Sequence, residues 1–137
     1  MRDIHDNFSA IRTIAAVAGA ATGKVVDLKG YKGCEFIISY GSITATDATI
    51  TPVVKEGDVT GTMTSVADGN LLGTEALAAI VAGTPRTSNS NKNVVKRLGY
   101  IGTKRYVQCN ILQTVTAAAP VSVTVLRGIP DLAPVAT

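Results

Sequence analysis

The sequence predicts an all-β fold, a sandwich or barrel of about seven to nine strands with at most one short helix. Three observations carry that expectation. Val, Ile and Thr supply close to a third of the chain, and these β-branched side chains are stiff at χ1 and fit a pleated surface better than a helix. Several short runs alternate apolar and polar residues at period two, the spacing of a half-buried strand. Turn signals built from Gly, Pro, Asn and Asp recur roughly every ten residues. A chain of 137 residues with 4% aromatics and no Trp implies one domain around a core of small branched side chains.

The elements follow in order. Residues 1–9 (MRDIHDNFS) show no period and read as an N-terminal arm. Ala10 to Ala21 is rich in alanine, which suits a helix, but Ile11, Thr13, Ala15 and Val17 keep a two-residue spacing, so we assign a strand. KVVDLKG gives a short strand and YKG a turn. CEFIISYGSI is a strong strand with Cys34, Phe36, Ile38 and Tyr40 on one side and Glu35, Ile37 and Ser39 on the other. In ATITPVVKEGD the alternation is interrupted by Pro52, which lacks a ladder donor and marks an edge or bulge, and Glu56-Gly57-Asp58 is read as a turn. VTGTMTSVA is a thin, threonine-rich strand ending at the Asp68-Gly69 turn. Leu71 to Val81 is the one plausible helix, with Leu72, Ala76, Ile80 and Leu77 near one face. AGTPRTSNSNKN forms a long exposed loop. VVKRLGYIG and RYVQCNIL then read as the arms of a hairpin joined at IGTK, with Val107, Cys109 and Ile111 inward. TAAAPVSVTVLRG adds a strand with Val121, Val123 and Val125 on one side. The domain is accordingly expected over 10–128, followed by a proline-punctuated tail over 129–137.

Charge and chemistry narrow the function. A net charge of +3 is far from that of a DNA-coating protein. No run reaches the ~18 consecutive apolar residues of a membrane span, and Arg2-Asp3-Ile4-His5-Asp6 is not a signal sequence, so no membrane partner and synthesis in the cytoplasm are expected. The single histidine, His5, lies in the arm, and no nucleophile and base are spaced as a pair, so we expect no enzyme, no catalytic residues and no cofactor. Cys34 and Cys109 belong to no CxxC pair, which leaves no metal framework; they are read as buried small hydrophobes or as a bridge between neighbouring strands. Asp68-Gly69-Asn70 with Glu75 lacks the ligand alternation of a calcium loop. Gly99 to Gly102 matches a GxxG, but it interrupts strands instead of joining two helices. Lys96, Arg97, Lys104 and Arg105 admit three readings. Either they contact phosphates beside Tyr100 and Tyr106 as stacking platforms, or they keep a strand edge soluble. A third reading sets them against an acidic protein surface. Without Trp, only Tyr31, Tyr40, Tyr100 and Tyr106 could stack on a sugar.

Between about Tyr31 and Val135 lie the stretches YKGCEFIISYGSITATDATITPVVKEGD, TSVADGNLLGTE, KRLGYIGTKRYVQCNI and the ending VSVTVLRGIPDLAPV, in which Gly128, Pro130, Ala133 and Pro134 form a G-x-P-x-x-A-P pattern. In these stretches the chain resembles small tailed-phage virion proteins encoded beside the major capsid protein. The resemblance implies a head decoration, or cement, protein: a jelly-roll β-sandwich on the outside of the phage head that clamps major capsid subunits. Relatives at the head-to-tail junction or among minor head proteins are the neighbouring alternative. A single-stranded nucleic-acid-binding β-barrel is the alternative from another class, although nucleic acid is not the expected partner. The candidate protein-interface residues are Ile4 and Phe8 in the arm, Lys96, Arg97, Lys104 and Arg105, and Ile129, Leu132 and Val135 in the tail. Self-association as a dimer or trimer is also expected.

Overall fold

Strand β3, Tyr31–Tyr40, shows what drives the fold. Its even positions Cys34, Phe36, Ile38 and Tyr40 are buried, while Glu35, Ile37 and Ser39 between them are only half covered. One face must therefore pack against another layer. The computed structural model describes residues 4–115 and 120–131. Within them the other elements are β1 (Phe8–Ala18), β2 (Val26–Asp27), β4 (Ile50–Val59), β5 (Thr62–Ser65), β6 (Leu71–Leu72), the single helical turn α1 (Glu75–Ala78), β7 (Val94–Tyr100), β8 (Tyr106–Gln113) and β9 (Pro120–Pro130). Short 3-10 turns occupy His5–Asn7 and Asp68–Asn70.

The strands form two sheets, ordered β1-β9-β3-β7-β6 and β2-β8-β4-β5, with every ladder antiparallel. β1 pairs with β9, β2 with β8, β3 with β7 and β4 with β5, as in one long hairpin; β9 then also pairs with β3, and β8 with β4. Rolling a nested hairpin into two facing sheets in this way gives the jelly roll. The expected all-β sandwich is what the chain adopts. Leu98, Tyr100, Val121, Val123 and Val125 reach inward from the first sheet, and Val54, Val107, Cys109 and Ile111 from the second; none is more than 1% exposed. Full burial of each aliphatic side chain stabilises the fold by about 1.5–3 kcal/mol before entropy is counted.

Several expectations need correction. β7 and β8 are not a hairpin: β7 pairs with β3 and β6, and β8 with β4 and β2, in opposite sheets. A tight hairpin returns the chain to a neighbour ~4.8 Å away, whereas residues 101–105 cross the ~10 Å between layers. The helix expected from Leu71 to Val81 shrinks to α1, because Gly73 takes a left-handed φ of 90° and Ala79 is already extended. Thr74 caps that turn by accepting from the Leu77 N–H. Glu56-Gly57-Asp58 is no turn but part of β4, and the reversal comes at Thr60-Gly61. In β1 the expected row of Ile11, Thr13, Ala15 and Val17 breaks at a bulge between Arg12 and Ile14, so that Thr13 and Ile14 are both buried and Ala15 to Ala18 are exposed. Pro52 does sit at a local edge, since β5 covers β4 only from Lys55 to Val59. At the ends, β1 takes in Phe8 and Ser9, and β9 runs on through Ile129 and Pro130.

Candidate interaction surfaces

The crossover from β7 to β8 is organised by Tyr100. Its side chain, 1% exposed, donates a hydrogen bond to Glu56 Oε2 on β4 at 2.5 Å and accepts one from the Lys104 N–H at 3.1 Å. Burial, and then the bond to Glu56, push the phenol above its ordinary pKa. Gly102 is needed for close approach, because a Cβ there would lie 2.7 Å from the ring's Cε2. The GYIGTKRY stretch is thus a strut from one sheet to the other. Tyr100 therefore offers no face to a base, and Tyr40, 3% exposed with its hydroxyl donating to the Ala78 carbonyl at 2.7 Å, offers none to a sugar.

The four cations go to separate places. Lys96 shares the inward phase of Leu98 and Tyr100, and its Nζ donates to the carbonyls of Leu77 (3.3 Å) and Ala79 (2.9 Å), closing the C-terminal end of α1. Burial lowers its pKa. It fastens α1 to β7 from a partly exposed position. Arg97 points outward, its Nε 3.8 Å from Glu35 Oε1. Lys104 pairs with Asp58 Oδ2 at 2.5 Å. Arg105 holds Asp27 through both carboxylate oxygens, at 3.0 and 2.8 Å, and stacks over Tyr106. The Arg105 hydrogen bond draws the Asp27 carboxyl down to about 2. Lys96 and Arg97 border one cleft and Lys104 and Arg105 another, so the four cations do not form a single patch.

Sequence reasoning missed two lysines. Lys29 and Lys32 line a cleft of about 420 Å³ with Tyr31, Lys104 and Arg105. Arg127 stacks on Tyr31 at 4.4 Å, donates to the Asp27 carbonyl at 3.0 Å, and reaches Ser9 Oγ at 2.9 Å. This end of the sandwich is basic.

An apolar surface adjoins this cleft at Ile101, on the outward face of the five-stranded sheet. Register places Phe8, Gly128 and Gly33 in one cross-strand row, and Ala10, Leu126, Glu35, Gly99 and Leu72 in the next. At one end of this face a groove of about 250 Å³ is lined by Gly33, Leu72, Ile101, Leu126, Gly128 and Ile129, among others. Leu72, Ile101 and Ile129 are 58%, 53% and 67% exposed. Of the expected interface residues, Ile129 lines this groove and Phe8 stands in its row, while Ile4 is exposed just before the first 3-10 turn. Leu132 and Val135 lie outside the described residues. Leu72, Ile101 and Leu126 were not expected; outward position on a strand was the signal that could have found Leu72 and Leu126.

Cys34 and Cys109 are buried free thiols, both pushed up to about 12 mainly by burial. Of the two readings, the small-hydrophobe one holds. Among the described residues no cluster of three or more His, Cys, Asp or Glu is arranged to hold a metal ion, and no helix is long and apolar enough to cross a membrane.

No family model matches the sequence, and no curated protein matches it. Among solved structures the chain is similar to the crystal structure of SPBc2 prophage-derived protein YomS. The two share 14% identity with a TM-score of 0.51, over 88% of this chain and 92% of the other. At that identity the likeness is one of fold.

Proposed function

We propose that the protein is a non-enzymatic component of a phage virion, a decoration protein that binds the outside of the head across major capsid subunits. The observation that carries this reading is a jelly roll shared along almost the whole chain with a prophage-derived protein. The resemblance of the YKGCEF, GYIGTKRYVQ and VSVTVLRG stretches to small phage head proteins points the same way. The surface suits the role. A small sandwich with an apolar groove and a basic cleft that meet at Ile101 offers two surfaces of different chemistry to neighbouring molecules. Modest contacts repeated at every symmetry-related seam oppose rupture cumulatively.

The test is binding to expanded heads of the phage that carries the gene. Purified protein should sediment with the heads at a saturable stoichiometry of many copies and raise their rupture temperature. A copy number confined to a single vertex would reassign it to the head-to-tail junction. No sedimentation and unchanged rupture at saturating protein would refute the proposal.

A further inference from the structure

We infer that the apolar groove and the basic cleft are two compartments of one channel, which seats an extended acidic segment of a partner protein. An apolar side chain of the segment fills the groove, and its carboxylates lie over Lys29 and Lys32. This goes beyond the head-binding reading and does not depend on it.

Two pieces of backbone run through both compartments. β3 carries Tyr31 and Lys32 along the cleft and then Gly33 and Glu35 along the groove, while the crossover passes from Ile101, shared by both, to Arg105 in the cleft. Residues 31–35 at ~3.3 Å each run about 15 Å, the length of an extended segment of about five residues.

The floor of the groove is a pair of glycines. Gly33 and Gly128 face each other in the register of β3 with β9, at strand positions where glycine is destabilising relative to alanine. Neither has a positive φ, and an added Cβ would meet nothing within 4 Å at Gly128 and only the Tyr100 carbonyl oxygen, at 3.4 Å, at Gly33. The fold itself thus requires glycine at neither position. Their missing side chains leave a floor that another backbone can approach closely, between walls that include Leu72, Ile101 and Ile129.

Charge identifies the occupant. The cleft is lined by Lys29, Lys32, Lys104 and Arg105 and by no carboxylate. Lys104 and Arg105 lean on Asp58 and Asp27, whereas the side chains of Lys29 and Lys32 have no ion-pair partner among the described residues. The N–H groups of Gly102 and Thr103, also at the cleft, donate to no acceptor among the described residues. At the far end of the channel Glu35 borders the groove and disfavours a carboxylate there, which sets the polarity of the segment. A nucleic acid fits less well, because Tyr100 is buried and one face each of Tyr31 and Tyr106 is already stacked by an arginine. The apolar compartment, about 250 Å³, is smaller than the ~300–1,000 Å³ of sites that enclose a small ligand.

The test is fluorescence anisotropy of labelled synthetic peptides of about eight residues, each with one leucine before or after a run of aspartates and glutamates, titrated with the full chain to ~1 mM at low salt. Serine replaces the leucine in one control, and lysines replace the acids in another. The leucine-and-acid peptides should bind with a dissociation constant of ~10–300 µM, and both controls at least ~10-fold more weakly. Lys29→Glu together with Lys32→Glu should weaken binding at least ~10-fold, while Lys24→Glu, an exposed lysine that lines neither compartment, should leave it within ~2-fold of wild type. Gly128→Val separates groove from fold. A β-branched side chain suits the strand but fills the floor, so the urea midpoint should hold or rise while binding falls at least ~10-fold. Leu72→Asp, at an exposed wall position, should weaken binding by a similar factor. No binding of any peptide up to ~1 mM, or binding indifferent to Gly128→Val and Leu72→Asp or to the paired charge reversal, overturns the inference. Tighter binding of an oligothymidylate, lost on charge reversal but kept in Gly128→Val, overturns it too and gives the cleft to nucleic acid.

Discussion

Replacing Gly102 by alanine tests the inter-sheet strut directly. Gly102 is outside the left-handed region, so alanine costs little in backbone conformation and the effect is steric. Its Cβ would stand 2.5 Å from Cζ and 2.7 Å from Cε2 of Tyr100, about 1 Å inside the ordinary carbon–carbon contact of ~3.5–4.0 Å. The ring is buried and tied at its hydroxyl to Glu56 and to the Lys104 N–H, so it cannot swing into solvent. Displacing it sacrifices a hydrogen bond to a charged acceptor, about 1.5–3 kcal/mol, and adds overpacking strain of about 1–3 kcal/mol. The expected loss is about 3 kcal/mol, read as a lower urea midpoint and, for a chain of this size, a fall in Tm of about 6–12 °C. A double-mutant cycle with Tyr100→Leu isolates the cause: with the ring gone, Gly102→Ala should cost less than about 1 kcal/mol. A Gly102→Ala protein within about 0.5 kcal/mol of wild type refutes the strut.

Other consequences are equally accessible. With both thiols pushed up to about 12 and buried, Cys34 and Cys109 should react with a thiol reagent at pH 8 at under ~1% of the free-cysteine rate until urea unfolds the chain; fast labelling of either in native protein contradicts the burial. Asp27, drawn from 3.8 to about 2 by Arg105, contributes stability that is present above pH ~4 and lost as pH falls through 2. Because the pair is largely exposed, Asp27→Asn should cause only a small destabilisation at pH 7, and a smaller one at pH 2; a larger effect at pH 2 than at pH 7 would have the wrong sign. Arg86→Ala should cost about 2–3 kcal/mol and open residues 82–93 to protease, since this guanidinium holds the carbonyls of Ala45, Ala48 and Val81 at 2.8–3.1 Å. Unchanged cleavage and stability would show that the loop is anchored by other contacts.

The inward rows of β3, β8 and β9 were legible because each strand buries one face, and burial on a pleat has period two. Pairing was not legible. Val107, Cys109 and Ile111 face inward whether β8 follows β7 in a hairpin or crosses to the other sheet, so the pattern that identified the strand was silent about its neighbour. Lys96 was misread although the phase was available: Val94, Lys96, Leu98 and Tyr100 are alternate residues on one face, and only the lysine's charge argued for solvent. Alanine-rich 71–81 looked helical because local propensity omits the demand of Ile80, which forms a bridge with Ile50 in extended backbone. Arg86 carried no signal in a Ser- and Asn-rich loop. The groove was hidden for a related reason. Its border includes Gly33 and Gly128, on neighbouring strands brought together only by the register of β3 with β9.

The head-decoration account is tested most directly by electron cryomicroscopy of expanded heads incubated with excess protein. It predicts discrete jelly-roll densities repeated at equivalent positions over the outer shell, each touching more than one major capsid subunit. Heads that stay bare at saturating protein, or densities each seated on a single subunit and crossing no seam, would contradict it.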